Sequence, residues 1–426
     1  MKNKYSRVIL DNGLTLLVFP MDSTRILSID IFIRGGSRYE TKCNNGISHF
    51  IEHVLFKGTK KRHDAFTISK EVDELGGDFN GLTGQEYSCF YIRLLDEHFE
   101  NALDILSDIL LNSSFNEPDI EIERKTILEE IKMRKDSPES YIWEIYNNLL
   151  YNGYPLGFPI SGEEKILTAL SKNNLIAYWK KNFTASNYVV SIAGNVNIDK
   201  TVSMVNKYFT GLQKGRIINS LPVKEKQAKP AVSLYYKKTE QTNLCLGTRA
   251  FSYNDPDFIA LDVLNIILGA NTSSRLFTIL REQKGLAYSV STGTDLFSDA
   301  GNFSVNAGVA HKNVETAVKI IFDEFNRLKK EKVLKEELDK VKNCITGYIY
   351  MAIDSSTGVA NYLGRQELHL KKIVLPEQRV EMIKNITSED IQRVANRIFI
   401  KNNLNLALIG PQKNKSSFHK LLNNFD

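Results

Sequence analysis

The two halves of this chain read as copies of one unit, and that constrains its fold more than any other feature. A strand-like apolar run ends at Ala193-Gly194 in the first half and at Ile409-Gly410 in the second, an offset of 216 (194 to 410). A helix-like run ends at Phe56-Lys57-Gly58 and again at Ile267-Leu268-Gly269, an offset of 211 (58 to 269). A difference of five residues is an ordinary loop insertion, and long-period repeats of this kind mark duplicated architecture. Each copy runs as strands followed by helices. The expected class is therefore α+β, with two homologous domains, each a mostly antiparallel sheet packed with helices.

Turn and strand signals place the boundaries. Arg7–Leu10 and Leu14–Phe19 flank Asp11-Asn12-Gly13, a hairpin with an Asn-Gly turn. Ile26–Ile33 alternates apolar and polar positions, residues 86–95 read as a strand, and Tyr188–Ala193 closes the first half. The stretch around Gly215, Pro222 and Pro230 is basic and lacks periodicity. The expected division is a first domain over 1–212, a linker over 213–230 and a second domain over 231–426.

Composition narrows the class. With 426 residues, 42% apolar and 25% charged, the chain has the balance of a globular protein and buries large cores without needing staples. No apolar run approaches the roughly 20 residues that span a bilayer. Met1-Lys2-Asn3-Lys4-Tyr5 leads to Asp11-Asn12-Gly13 before an apolar core develops, so no secretory signal is expected. Cys43, Cys89, Cys245 and Cys344 form no Cys-x-x-Cys pair. That disfavours zinc ribbons and suits a reducing, cytoplasmic setting. The net charge of +5 is spread along the chain, without the basic stripe of a nucleic-acid binder.

Of seven histidines, two bracket a glutamate in His49-Phe50-Ile51-Glu52-His53. Ile47, Phe50, Ile51, Val54 and Leu55 recur at helical spacing and form one apolar stripe. At about 100° per residue, His49, Glu52, His53 and Phe56 fall almost opposite it. Such a helix buries one face and presents two imidazoles, one turn apart, on the other. Two neutral imidazoles at i and i+4 suit one Zn²⁺, with the carboxylate between them free to take a proton from attacking water. A catalytic zinc usually takes a third protein ligand. A second amphipathic stretch offers Glu121, Glu123, Glu129 and Glu130 against an apolar side of Ile120, Ile127, Leu128 and Ile131, although Arg124 falls inside that arc. Glu129 points away from the apolar side. Glu123 and Glu130, seven residues apart, lie in line along one flank, and periodicity does not choose between them.

These residues resemble the inverted zinc motif of the pitrilysin–insulysin–mitochondrial processing peptidase family, His-x-x-Glu-His with a distant glutamate. Here 76 residues separate His53 from Glu130. The flanking words match too: Gly46-Ile-Ser-His-Phe-Ile-Glu-His-Val-Leu-Phe-Lys-Gly-Thr59, Glu123-Arg-Lys-Thr-Ile-Leu-Glu-Glu130, and Ser274-Arg-Leu-Phe-Thr-Ile-Leu-Arg-Glu-Gln-Lys-Gly-Leu-Ala-Tyr-Ser289. The resemblance runs from about Val8 to Pro411, and the length is that of the branch with short two-domain subunits.

The resemblance implies a zinc metalloendopeptidase that cuts peptides or unfolded segments in a closed dimeric chamber, with one Zn²⁺ per chain. It implies His49, His53 and Glu130 as metal ligands, Glu52 as the general base and Glu123 as a supporting carboxylate. It assigns Asn80, Gly81, Leu82 and Thr83 to an edge strand that takes substrate as an added strand. The family usually carries Ala where Gly81 stands. Arg281 and Tyr288 match the pair that holds the substrate backbone and polarises its carbonyl. A homodimer in which that pair serves the partner's zinc is implied as well. Aligned on Gly58 and Gly269, the second copy has Ala260, Val263 and Leu264 in place of the two histidines and the glutamate, so it is expected to hold no metal. Relatives that serve as non-catalytic subunits lose ligands or the base, whereas this chain keeps all four. His63, His98, His311, His369 and His419 read as surface or structural residues.

Overall fold

A computed structural model describes residues 5–224 and 226–426. Met1–Lys4, at the N-terminus, and Glu225, in the expected linker, lie outside them. The chain forms two compact units, each discontinuous in sequence. The first takes residues up to Lys132, Phe158–Leu221 and Tyr350–Leu375; the second takes Met133–Gly157, Pro222–Ile349 and Pro376–Asp426.

Among the described residues eleven strands build the two sheets: β1 (Ser6–Ile9), β2 (Thr15–Pro20), β3 (Ile26–Arg34), β4 (Asp78–Thr83), β5 (Tyr87–Leu95), β6 (Tyr188–Gly194), β7 (Ala231–Tyr236), β8 (Thr242–Ala250), β9 (Ala287–Leu296), β10 (Gly301–Val309) and β11 (Asn405–Gly410). The helices that matter below are α1 (Ile47–Leu55), α2 (Glu117–Asp136), α3 (Pro138–Leu150), α4 (Phe258–Leu268) and α5 (Ser356–Leu370). The first unit carries a sheet in the order β1-β2-β6-β3-β5-β4, and the second one in the order β7-β11-β8-β10-β9. Setting β1 aside, the orders superimpose pair by pair. Among the described residues β2 with β6 and β7 with β11 are the only parallel pairs in the two sheets; every other ladder is antiparallel. The repeat read from glycine endings is a repeat of topology.

The opening hairpin departs in detail from a two-residue Asn-Gly turn. Leu10 N donates to Leu14 O at 2.9 Å, and Gly13 takes φ 93°, so three residues turn the chain and the last is left-handed.

Helices cover one face of each sheet and build the two largest cores. On the other face of the first sheet lies α5, packed through Val359, Ala360, Leu363 and Leu368 on Leu17, Phe32, Cys89 and Val189. The approach is close: a Cβ at Gly364 would sit 2.2 Å from Phe32 Cε2. In the second unit α3 does the same through Ile142, Tyr146 and Leu150, on Cys245, Ala407 and Ile409. There a Cβ at Gly247 would sit 2.5 Å from the Tyr146 hydroxyl. Each sheet is thus backed by a helix drawn from the other half of the sequence.

Among its described residues the expected linker has no helix or strand. Its first part is tied to the first unit, where Asn187 donates to Arg216 O and accepts from Ile218 N. Its last part is tied to the second, where Gln227 donates to Asn402 O. Among the described residues no helix is long and apolar enough to cross a membrane. The His369 side chain is 6% exposed, with Nδ1 3.4 Å from Glu86.

Candidate active site

α1 forms where the periodicity places it, burying Ile47, Ser48, Phe50, Ile51, Val54 and Leu55. Its N-terminus has an unusual anchor. The capping residue, Gly46, lies at φ 92° and offers no side chain to the free N–H groups of the first turn. A Cβ there would also sit 2.8 Å from Gly162 Cα. The buried carboxylate of Glu40, six residues upstream, does the capping instead. It accepts from Gly46 N at 2.7 Å, Ser48 N at 2.9 Å and Asn45 Nδ2 at 2.9 Å. Burial pushes the Glu40 carboxyl up, and the N–H groups of Ser48 and Gly46 oppose that push. Replacing Glu40 by alanine leaves the buried N–H groups of Gly46 and Ser48 without this carboxylate, while Asn45 Nδ2 keeps its bond to Pro159 O. We expect a loss of about 2 kcal/mol or more, a melting temperature lower by about 4–8 °C. An unchanged thermal melt would reject the anchoring role.

α2 meets this face along one flank. Ile120, Ile127 and Ile131 are buried, and so is Arg124. The arginine inside the apolar arc meets both a carboxylate and backbone: its guanidinium pairs with Glu121 at 3.0 Å, donates to Leu167 O and, at 2.7 Å, to Leu170 O, and lies over the Phe50 ring. Glu129 faces solvent and pairs with Lys132 at 2.7 Å. Glu130 turns towards α1.

There three side chains converge. His49 Nε2 and His53 Nε2 are 3.3 Å apart, and Glu130 Oε2 lies 3.9 Å from the first and 3.7 Å from the second. Among the described residues this is the one set of three His, Cys, Asp or Glu side chains close enough to hold a metal ion. The donor set fits zinc, because a tetrahedral ion with bonds of about 2.0–2.1 Å spaces its ligands about 3.3 Å apart. Two imidazole nitrogens and a carboxylate oxygen are also its usual ligands.

Glu123 stands behind them. Its Oε2 lies 2.7 Å from His53 Nδ1 and its Oε1 2.6 Å from Lys57 Nζ. Burial alone would push Glu123 up; the bonds from His53 and Lys57 outweigh it and hold the carboxyl below its usual range. For His53, burial works downward, and the Glu123 hydrogen bond with the Glu130 and Glu123 charges raises it above its ordinary value. Burial raises Glu52, opposed first by the Thr83 hydroxyl. A carboxylate lifted this way is a stronger proton acceptor at neutral pH.

Asn80, Gly81, Leu82 and Thr83 lie on β4, the free edge of the first sheet. A Cβ at Gly81 would sit 3.0 Å from Glu52 Cγ and 2.9 Å from Phe56 Cε2. The missing methyl therefore lets the edge strand lie against the stem of Glu52. Arg281 and Tyr288 belong to the second unit. Arg281 sits on a π-helical turn, Phe277–Gln283, with its guanidinium 5.7 Å from the centre of the Tyr288 ring. Ala287 pairs with Val309 and Ser289 with Gly308, which leaves Tyr288 as the extra residue of a bulge, 79% exposed. Bulges and π-turns commonly re-aim side chains at functional sites. In the same unit Ala260, Val263 and Leu264 of α4 are buried within its core.

Sequence reasoning had not singled out Glu40 or Lys57. Lys57 carried a signal, since it continues the His49, His53 spacing by one more turn.

Known proteins resemble this chain over nearly its whole length. Residues 17–164 match the family described as insulinase (peptidase family M16), and residues 169–344 match the peptidase M16 inactive domain. An uncharacterized zinc protease of Rickettsia felis is 37% identical, covering 96% of this chain and 98% of its own. The chain belongs to the M16 peptidase family. The uncharacterized zinc protease YmxG of Bacillus subtilis is 32% identical over 96% of this chain and 99% of its own. In fold, the M16 chain matches the crystal structure of a protease from Helicobacter pylori with a TM-score of 0.91 at 24% identity, covering 96% of this chain and all of that one. A peptidase M16 inactive domain structure from Pseudomonas fluorescens gives 0.90 at 20% identity, covering 96% and 98%. Membership in a family of zinc proteases supports a metallopeptidase, and the His49, His53, Glu130 cluster is able to hold the metal.

Proposed function

We propose that this chain is a zinc-dependent endopeptidase that hydrolyses peptides or unfolded segments. One observation carries the reading: His49, His53 and Glu130 converge beside Glu52 and a free strand edge. When bound, zinc supplies a Lewis acid that polarises the scissile carbonyl and makes water easier to deprotonate. His49, His53 and Glu130 hold it, one ion per chain. Glu52 takes the proton of the attacking water and passes it to the leaving amine. Glu123 keeps the His53 ring in place through Nδ1. The backbone of Asn80–Thr83 aligns the substrate as an added strand, and Arg281 and Tyr288 bind the substrate backbone and its developing oxyanion. Four free cysteines suit work in a reducing compartment, the cytoplasm.

Metal analysis together with chelator-sensitive cleavage of quenched peptides tests the reading. Stoichiometric zinc without cleavage of any member of a diverse peptide pool would favour a non-catalytic scaffold.

The proposal includes a homodimer enclosing a chamber, each chain lending Arg281 and Tyr288 to the zinc of its partner. Chains carrying Glu52→Gln, and chains carrying Arg281→Ala with Tyr288→Phe, are expected to be nearly inactive alone. A mixed dimer regains one working site of two. No recovery in a verified mixed dimer would reject the trans arrangement and leave the zinc chemistry standing.

A further inference from the structure

Lys57 is the next residue after the cap of α1, at the end of the row that begins with His49 and His53. The His-x-x-Glu-His chemistry has no use for a lysine there, yet its ammonium is committed. It reaches Glu123 Oε1 at 2.6 Å, while the other oxygen of that carboxylate meets His53 Nδ1 at 2.7 Å. Glu123 is 5% exposed and Lys57 31%, so the pair is partly withdrawn from water. A carboxylate with one partner turns about its terminal bond; donors on both oxygens fix its plane.

We propose that Lys57 is a positioning residue of the zinc site. By holding Oε1 of Glu123 it sets Oε2 against His53 Nδ1. That in turn aims His53 Nε2 at His49 Nε2, 3.3 Å away, and at Glu130 Oε2, 3.7 Å away. The inference rests on the zinc reading above. It also predicts a sign. A lysine acting only as a nearby positive charge would repel a dication, and its removal would slow zinc release. A lysine that orders Glu123 has the opposite effect.

The test uses the full-length, zinc-loaded protein and the rate at which zinc passes to a chromogenic chelator. Lys57 is part exposed, so its replacement by Met or Gln leaves the apolar core untouched, and circular dichroism verifies the fold of each variant. Lys57→Met and Lys57→Gln should release zinc about 3–10-fold faster, below the roughly 10–100-fold range for residues that touch a metal ligand directly, because Lys57 acts one contact further out. Lys57→Arg, which keeps a charged donor, should recover most of that loss. Glu123→Gln should speed release by itself, and adding Lys57→Met to it should change nothing further. Cobalt in place of zinc should show shifted visible bands in Lys57→Met and near-native bands in Lys57→Arg. Unchanged or slower release in Lys57→Met, or effects of Lys57→Met and Glu123→Gln that multiply, would overturn the inference while leaving the peptidase reading intact. A wild-type protein that takes up no zinc would overturn both.

Discussion

Glu52→Gln is expected to keep zinc near one ion per chain while turnover falls by about 10²–10⁴-fold, the usual contribution of a positioned general base. Glutamine has nearly the same shape, so His49, His53, Glu130 and the neighbouring strand should be undisturbed. A Cβ at Gly81 would already sit 3.0 Å from Glu52 Cγ, and an isosteric replacement adds nothing to that tight spot. What disappears is the ability to accept a proton. Burial raises the Glu52 carboxyl, which makes this side chain a better acceptor than an exposed glutamate. Metal analysis and peptide turnover on the same preparation check the result. Near-normal cleavage by Glu52→Gln would remove the base from the mechanism, and loss of zinc would mean that Glu52 also supports the metal.

Glu130→Gln is expected to strip the metal, and Glu129→Gln to leave it bound. The two residues are neighbours with opposite surroundings. Glu130 Oε2 stands 3.7 Å from His53 Nε2, while Glu129 pairs with Lys132 in solvent. Losing a charged ligand should weaken zinc by more than ~100-fold, beyond the range for residues that only orient ligands. Losing a surface ion pair should leave zinc content and turnover within about twofold. Titration with a competing chelator separates the outcomes. Greater damage from Glu129→Gln would mean that the carboxylates on α2 are assigned one residue out of phase.

Much of this arrangement was legible in the residues. α1 was, because a nine-residue helix with one apolar stripe leaves His49, Glu52 and His53 a single common face. The duplication was legible at glycines that end a strand and a helix in both halves, and the strand orders repeat accordingly. Periodicity stopped at the choice between Glu123 and Glu130, which share a flank seven residues apart. Only depth separates them: Glu123 is buried against Lys57 and His53 Nδ1, and Glu130 reaches the Nε2 side. Glu40 was invisible because the first-turn N–H groups are met from outside the helix, six residues before Gly46, and no capping pattern spans that gap. The bulge that turns Tyr288 outward depends on which residue of β10 each neighbour pairs with, a property of the ladder rather than of local sequence. Arg124 looked misplaced in an apolar arc until its carbonyl partners, Leu167 and Leu170, were known.

The helix behind the first sheet imposes an order of events on a chain emerging from a ribosome. That sheet has all its strands once Gly194 is made, but α5 ends at Leu370, 176 residues later (194 to 370). At 5–20 residues per second the wait is roughly 9–35 s. For that interval Leu17, Phe32, Cys89 and Val189 face outward without their cover. The nascent first half therefore presents a sticky apolar sheet face, a natural target for a chaperone that shields such surfaces. The second sheet has no such delay, since α3 precedes every one of its strands. Exchanging the two helices along the gene would put each ahead of the last strand of its own sheet, β6 or β11, and would abolish the wait for the first half without creating one for the second.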